Sequence, residues 1–267
     1  MSLKLEPYSV VAFNSARNSE NKMHDDTVAR RFGFSGGLVP GVDVYAYMAH
    51  PAVVRWGREF LEAGMLQARF LKPVYEGETA AVTASEANDA LAIEVASRGE
   101  LCATGHTGLT RSAPPALAEF AAVAAGDPAM RPPADETTLR EGRLLGMRPL
   151  RLTAEGIAQY VADVRETDPL YAREGLSHPG LLPRLFNWAL MHNVVLGPWI
   201  HVGSKVDHFA AARAGDEPTV RAKITGNYER KGHRFVDLDG LVIANGTTPI
   251  ARVAHTAIYR PRAGAAP

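Results

Sequence analysis

Two glycine- and proline-rich stretches of the chain resemble each other: Gly33-Phe34-Ser35-Gly36-Gly37-Leu38-Val39-Pro40 and Gly175-Leu176-Ser177-His178-Pro179-Gly180-Leu181-Leu182-Pro183. Each leads into an apolar segment with an aromatic residue partway along, Tyr45 in the first and Trp188 in the second. Each is later followed by a similar closing strand, Ala103-Thr104-Gly105-His106-Thr107 or Arg252-Val253-Ala254-His255-Thr256. This order predicts a duplicated unit of roughly 110–120 residues, close to one domain length. We therefore expect the function to lie between two similar halves.

Hydrophobic spacing predicts one long helix in each half. The first begins near Gly41, after a proline that suits a helix start, and the second begins near Pro183. Long strands are predicted after each helix, at 66–75, 79–86 and 90–109 and then at 201–213, 219–228 and 234–259, with a turn at Asn245-Gly246. A helix against a long antiparallel sheet is an α+β unit, and two copies can join their sheets with both helices on one face.

A segment rich in alanine and proline separates the halves. Adjacent prolines disfavour regular pairing, so residues 113–143 are predicted to be a linker with one short helix at 117–125. The N-terminal unit is then 1–112 and the C-terminal unit 144–267. We expect the N-terminal unit to carry the active-site motif.

Composition excludes several classes of protein. Among the 267 residues, 29 Lys and Arg balance 29 Asp and Glu, which argues against nucleic acid or an anionic membrane as the main partner. The single cysteine, Cys102, excludes an intrachain disulfide and fits a reducing compartment. Neither a secretory signal nor an apolar run long enough for a membrane helix is visible. A cytoplasmic location is therefore expected.

A polar loop before the first helix combines groups suited to proton transfer: Asn18-Ser19-Glu20-Asn21-Lys22-Met23-His24-Asp25-Asp26. A helix start offers unpaired backbone N–H groups that can stabilise a carbonyl oxygen as it becomes an enolate. A histidine nearby could move a proton, because its pKa lies near working pH. The alternative is a solvated loop whose Asp25 or Asp26 caps a turn.

The run Ser19-Glu20-Asn21-Lys22-Met23-His24, followed by Asp26, Ala29, Gly33-Phe34 and Val39-Pro40-Gly41, resembles the signature of MaoC-like hydratases and dehydratases. These are hot-dog-fold enzymes that act on acyl thioesters. The resemblance implies a double hot-dog fold, with His24 at the catalytic histidine position and Asn21 at the motif asparagine. It also implies that the Gly41 amide holds the thioester oxygen. Substrate contacts are then expected at the neighbouring Val39, Pro40 and Tyr45.

The motif departs from the family in two places. Ser19 stands where the family has its catalytic aspartate, and Pro40 replaces the histidine that precedes the helix glycine. A serine cannot be the carboxylate base. Glu20, Asp25 or Asp26 could substitute for it, and the sequence leaves this open.

The second half carries a related run, Glu166-Thr167-Asp168-Pro169-Leu170-Tyr171. It resembles the motif with glutamate at the aspartate position and tyrosine at the histidine position; a shifted pairing would put Glu166 at the histidine position instead. No histidine occupies the site in either pairing, although His178 lies just before the second helix. We expect this half to be mainly structural and to shape an acyl tunnel.

The remaining histidines show no spacing typical of a metal site, and His106 and His255 are expected to make packing or turn contacts. The resemblance implies hydration or dehydration of a thioester of the 2-enoyl-CoA or (R)-3-hydroxyacyl-CoA type, with no cofactor besides the thioester substrate. Thioester hydrolysis, isomerisation and catalytically silent thioester binding stay open as alternatives. Pairing of the chain into a homodimer is also left open.

Overall fold

The computed structural model describes residues 5–262. In the first half, the elements are β1 (Tyr8–Val11), α1 (Asp26–Arg31), α2 (Gly41–Trp56), α3 (Arg58–Ala63), β2 (Gly64–Phe70), β3 (Thr79–Ala87), β4 (Ala90–Ser97) and β5 (Glu100–Leu109). In the second half, they are β6 (Leu144–Gly146), α4 (Ala154–Asp163), α5 (Leu170–Glu174), α6 (Leu181–Asn193), β7 (Ile200–His208), β8 (Pro218–Arg230), β9 (His233–Ala244) and β10 (Thr248–Arg260).

All of these strands form one ten-stranded sheet in the order β1-β3-β4-β5-β2-β7-β10-β9-β8-β6. The order of the first five strands is mirrored by the last five, as a duplicated unit requires. The two halves join where β2 and β7 pair antiparallel, with Met65 opposite Asp207 and Ala68 opposite Ser204. The predicted joining of the sheets is therefore confirmed.

The long helix of each half packs on the same face of this sheet, and the two helices touch each other near the start of α6. A side chain at Gly180 would come within 2.7 Å of the Ala46 methyl group, so glycine allows this close approach. Most of α2 is buried, from Val42 to Ala49 and again from Pro51 to Val53. A helix that is apolar on nearly all sides is expected to be wrapped by other elements. The α+β double hot-dog architecture is confirmed.

Several predicted boundaries were wrong for local reasons. The segment 90–109 is two strands, because Arg98 and Gly99 adopt the left-handed conformations of a tight hairpin turn. Strand β2 stops at Phe70, where the amides of Leu71 and Lys72 turn to bond the Cys102 carbonyl. Helix α6 begins at Leu181, with Pro183 inside its first turn, where a missing N–H costs nothing.

The segment between the halves forms only short 3₁₀ turns, at Leu117–Glu119 and Pro128–Met130, in place of the helix predicted at 117–125. The Arg221 guanidinium donates to the carbonyls of Leu117 and Phe120 and fixes this stretch against β8. Farther on, Leu139 is fully buried. An isolated helix this short is marginal in water, which explains why tertiary contacts decide its conformation.

Within the described part of the chain, no helix has both the length and the apolar character needed to cross a bilayer.

Candidate active site

A cavity of roughly 690 Å³ opens at the seam between the halves. The 21–24 loop and the start of α2 form one wall, and β2 and β7 form the floor. The groups that line its inner part include Asn21, His24, Val39, Pro40, Gly41, Phe70, Asn187, Trp199, His201 and Ser204. This volume lies in the range of small-ligand sites.

The ring of His24 lies beside the start of α2. Its Nδ1 lies 2.7 Å from the Leu38 carbonyl oxygen, and its Nε2 lies 3.2 Å from Nδ2 of Asn21. A carbonyl can only accept and an amide nitrogen can only donate, so Nδ1 carries the proton and Nε2 is the basic nitrogen. Burial lowers the pKa of His24, against the opposing effect of the Leu38 carbonyl. The ring is therefore a neutral base at neutral pH.

Glycine at position 37 allows the loop to approach His24. A Cβ on Gly37 would lie only 2.3 Å from the His24 carbonyl oxygen, and the Gly37 amide donates to Asp26 at 2.7 Å. The same His24 carbonyl accepts from Asn14 at 2.9 Å. These contacts hold the histidine backbone in place through groups that do not line the cavity.

Asn21 ties His24 to the second half. Its Oδ1 accepts from the amides of Met23 and Trp199, both at 3.1 Å. Its Nδ2 donates to the Trp199 carbonyl at 2.9 Å as well as to His24. Asn21 is 4% exposed, and both its amide oxygen and its amide nitrogen are hydrogen-bonded. It therefore orients the His24 imidazole and fixes the 21–24 loop to the second half of the chain.

Helix α2 begins at the cavity without a side-chain cap on Pro40. The amides of Asp43 and Val44 bond back to the Pro40 carbonyl, whereas those of Gly41 and Val42 lie before any intrahelical acceptor. Gly41 is closely covered, since a Cβ there would lie 3.2 Å from Phe70 and 3.0 Å from Nδ1 of His201. The helix start can thus offer backbone N–H groups to an oxygen in the cavity.

Among residues 5–262, no carboxylate lines this cavity. Glu20 pairs with Arg131 at 3.0 Å, Asp25 caps α1, and Asp26 holds the Gly37 amide. None of the three therefore replaces the missing aspartate in the cavity. Buried Asp43 contributes to the electrostatics of His24, but its side chain is bonded to Arg184 and Ser15.

The structure brings His24, Asn21, Val39, Pro40 and Gly41 together at the cavity. Two expected site residues lie elsewhere, which corrects their assignment. The Ser19 hydroxyl turns back to the Asn21 carbonyl at 3.3 Å and does not line the cavity. Tyr45 is fully buried in the core, with its hydroxyl 3.5 Å from the Leu66 carbonyl, because it lies on the sheet side of α2.

Two buried groups of the floor, His201 and Ser204, are joined in a chain to His255, which does not line the cavity. Ser204 Oγ lies 2.8 Å from Nε2 of His201 and 2.9 Å from Nδ1 of His255. The two imidazoles stack with centroids 4.3 Å apart. Burial lowers the pKa of His201 to about 3 and that of His255 well below its ordinary value. No spacing of these residues along the chain predicts this cluster.

The outer part of the cavity is lined by cationic side chains. They are Arg69, Lys72, Lys205, Arg230 and Lys231. Lys72 and Lys205 pair with Glu100 and Asp207, but these carboxylates do not line the cavity. Although the chain is neutral overall, this entrance favours an anionic ligand.

In the second half, the equivalent helix start, that of α6, is covered by other side chains. Glu166 accepts from His50 at 2.8 Å and lies 3.4 Å from His178, a cluster that the sequence did not reveal. Burial alone would raise the pKa of Glu166, but the two histidines outweigh burial and hold this pKa well below its usual range. A Cβ on Gly180 would lie 2.6 Å from the Tyr160 hydroxyl, so Tyr160 covers the start of α6.

No protein-family model and no curated protein matches the sequence. Solved structures do match its fold. A conserved hypothetical protein from Mycobacterium tuberculosis with a double hotdog fold superposes with a TM-score of 0.66, at 15% identity over 97% of this chain and 95% of that one. A MaoC-like dehydratase gives a TM-score of 0.60, at 16% identity over 97% of both chains.

A proposed thioesterase II from Thermobifida fusca YX gives a TM-score of 0.50, at 16% identity over 98% of this chain and 93% of that one. At these identities the matches establish the fold. The resemblance to MaoC-like proteins predicted from the sequence is therefore confirmed as a shared double hot-dog fold.

Proposed function

We infer that the protein reversibly hydrates a 2-enoyl thioester of coenzyme A, with His24 as the side-chain base. The observation that carries this proposal is that the neutral His24 ring and the uncapped start of α2 open on one cavity. The first group can move a proton, and the second can hold the thioester oxygen.

One imidazole is enough for addition of water to one face of the double bond. The catalytic water replaces the Asn21 amide as the hydrogen-bond donor to Nε2 of His24. Its oxygen attacks Cβ while its proton passes to the freed Nε2 lone pair. The electron pair of the double bond moves onto the thioester oxygen, which accepts from the Gly41 amide. Nε2 then returns the proton to Cα, so water is added across the bond and the histidine is neutral again.

The cationic entrance supports coenzyme A as the carrier. Coenzyme A has a diphosphate and a ribose phosphate at the end remote from the thioester. Lys72, Lys205 and Arg230 are among the cationic groups that line the outer cavity, while the inner part is lined by apolar and neutral groups. An anionic carrier with a neutral acyl group fits this distribution of charge.

Conversion of crotonyl-CoA into 3-hydroxybutyryl-CoA, followed by loss of enoyl thioester absorbance, tests the proposal. We expect His24→Gln to lower kcat by about 100-fold or more, the usual scale for a proton-transfer group. His106→Gln, which changes an exposed histidine on β5, is the matched control and should retain wild-type rates. Undiminished hydration by His24→Gln would contradict the assignment.

The same assay tests the carrier. Crotonyl-pantetheine lacks the nucleotide and its phosphates, so we expect a higher KM than for crotonyl-CoA with a smaller change in kcat. Equal KM values at low ionic strength would argue against recognition of the phosphates by the cationic entrance.

Thioester hydrolysis is the second candidate, favoured by the absence of a carboxylate among the described residues that line the cavity. In this reaction, water activated by His24 would attack the thioester carbon. Release of free thiol from butyryl-CoA, without change of an enoyl substrate, would select hydrolysis over hydration.

A further inference from the structure

A second polar group meets the start of α2 from the other half of the chain. His201 is 6% exposed, lines the cavity, and has an Nδ1 atom without a hydrogen-bond partner among the described residues. A Cβ on Gly41 would lie 3.0 Å from this Nδ1. The unpartnered nitrogen therefore lies beside Gly41, the residue whose amide the proposed reaction uses.

The hydrogen-bond chain through Ser204 can run in two directions. In one, Nε2–H of His201 donates to the Ser204 hydroxyl, which donates to Nδ1 of His255. In the other, Nδ1–H of His255 donates to the hydroxyl, which donates to Nε2 of His201. Since both imidazoles are neutral, the direction decides which nitrogen of each ring carries its proton.

The two directions leave different donors unpaired. The first leaves an N–H at Nε2 of His255, an atom that has no partner within residues 5–262 and belongs to a residue that does not line the cavity. The second leaves the unpaired N–H at Nδ1 of His201, where a ligand or water in the cavity can accept it. An unpaired buried N–H is costly, so the second direction is favoured. A backbone hydrogen bond with Gly203 partly offsets the lowering of the His201 pKa by burial.

We propose that Nδ1–H of His201 is a second donor to the thioester oxygen, beside the Gly41 amide. This assignment makes His201 a catalytic residue supplied by the second half, with Ser204 and His255 as positioning residues that set its tautomer. The proposal for His201 rests on the proposed function in one respect, namely that the thioester oxygen binds at the start of α2. Charge that develops on the oxygen during addition would then be shared by two donors.

Two substitutions of His201 distinguish the role of Nδ1 from that of Nε2. His201→Asn places an amide near the position of Nδ1 and removes the link to Ser204. His201→Gln reaches Ser204 and removes the donor at Nδ1. We expect His201→Gln to lower kcat for crotonyl-CoA by about 100-fold with little change in KM, and His201→Asn to retain most of the activity. Equal losses in the two variants would overturn the proposal.

A measurement without turnover distinguishes this proposal from the proposed function. Butyryl-CoA labelled with carbon-13 at the carbonyl should show a downfield shift on binding to the wild type and to His201→Asn, and a smaller shift on His201→Gln. If these shifts appear without hydration of crotonyl-CoA, the proposed function fails and His201 remains a donor. Hydration with equal carbonyl shifts in both variants refutes the donor and leaves the function intact. Absence of butyryl-CoA binding refutes both.

The tautomer can also be observed in the unaltered protein. In the nitrogen-15 spectrum, His201 should be protonated at Nδ1, and Ser204→Ala should shift this population toward the other tautomer. A wild-type His201 protonated at Nε2 overturns the proposal whatever the variants do.

Discussion

At the scale of single residues, the sequence predicted the positions of some side chains at the site and not of others. His24 and Asn21 belong to a short motif with fixed spacing, and both line the cavity, as the motif predicts. Ser19 also occupies a motif position, yet its hydroxyl bonds the backbone two residues on. A motif position predicts where a side chain starts but not the direction in which a short polar group turns.

We expect Asn21→Asp to raise the pKa of His24, because a carboxylate beside Nε2 favours the charged imidazolium. The base form is lost once the pH falls below this pKa. The acid limb of the kcat/KM profile, which lies below about 6.5 in the wild type because burial lowers the pKa of His24, should therefore move to higher pH. The pH dependence of crotonyl-CoA hydration measures this shift.

Asn21→Ala is the matched control for that experiment. It removes the same contacts to Trp199 and His24 without adding charge. Lower stability is expected, by about 1–3 kcal/mol, without a move of the acid limb to higher pH. A similar upward shift in both variants would contradict the electrostatic explanation.

At the scale of elements, a bulge in β7 explains why the histidine cluster could not be predicted. Thr256 pairs with Gly203 and Ala257 with His201, so Val202 is an extra residue in the strand. Strict alternation would place His201 and Ser204 on opposite faces of the sheet. The bulge puts both on the buried face, where His255 lies directly across from Ser204.

The contact between the two long helices includes an ion pair with little access to water. Asp43 on α2 accepts from Arg184 on α6, and their side chains are 1% and 16% exposed. The Arg184 guanidinium also lies 4.9 Å from the centroid of the Tyr160 ring. These contacts fix the relative position of the two helices beside the cavity.

We expect Asp43→Asn to lower the free energy of unfolding by about 3 kcal/mol, because it leaves a buried guanidinium without its counter-charge. Urea unfolding measures the loss. The double variant Asp43→Leu/Arg184→Met removes both charges and should lose less than the single variant. A larger loss in the double variant would show that the ion pair itself is strongly stabilising.

At the scale of the whole molecule, the duplicated order of landmarks predicted two similar α+β units, and the resemblance to MaoC-like proteins implied the double hot-dog fold. The joined sheets follow from two similar α+β units that must each cover one helix. The closure of the second helix start could not be predicted, because Tyr160 lies in α4, outside the stretches that resemble each other.

Buried neutral histidines make the stability of the fold dependent on pH. Burial lowers the pKa of His201 and of His208 to about 3, and it lowers that of His255 well below its ordinary value. The unfolded chain binds protons at these positions below about pH 6.5, whereas the folded chain does not. Stability is therefore fully present above that pH and is lost as the pH falls toward 3.

We expect each of these histidines to lower the free energy of unfolding by up to about 1.4 kcal/mol for every pH unit below 6.5. Urea unfolding between pH 7.5 and about 4.5 measures the dependence. His208 packs against Phe60 and does not line the cavity, so His208→Leu should give a shallower pH dependence with hydration intact. An unchanged slope in this variant would contradict the attribution.

The Tyr160 hydroxyl beside Gly180 has a consequence for stoichiometry. Two identical subunits related by symmetry must have both helix starts open or both blocked. Fusion of the two units into one polypeptide removes that constraint, because each copy can accumulate its own substitutions. Here the start of α2 stays accessible while the Tyr160 hydroxyl covers the start of α6, so the proposed reaction would use one helix start per chain rather than two.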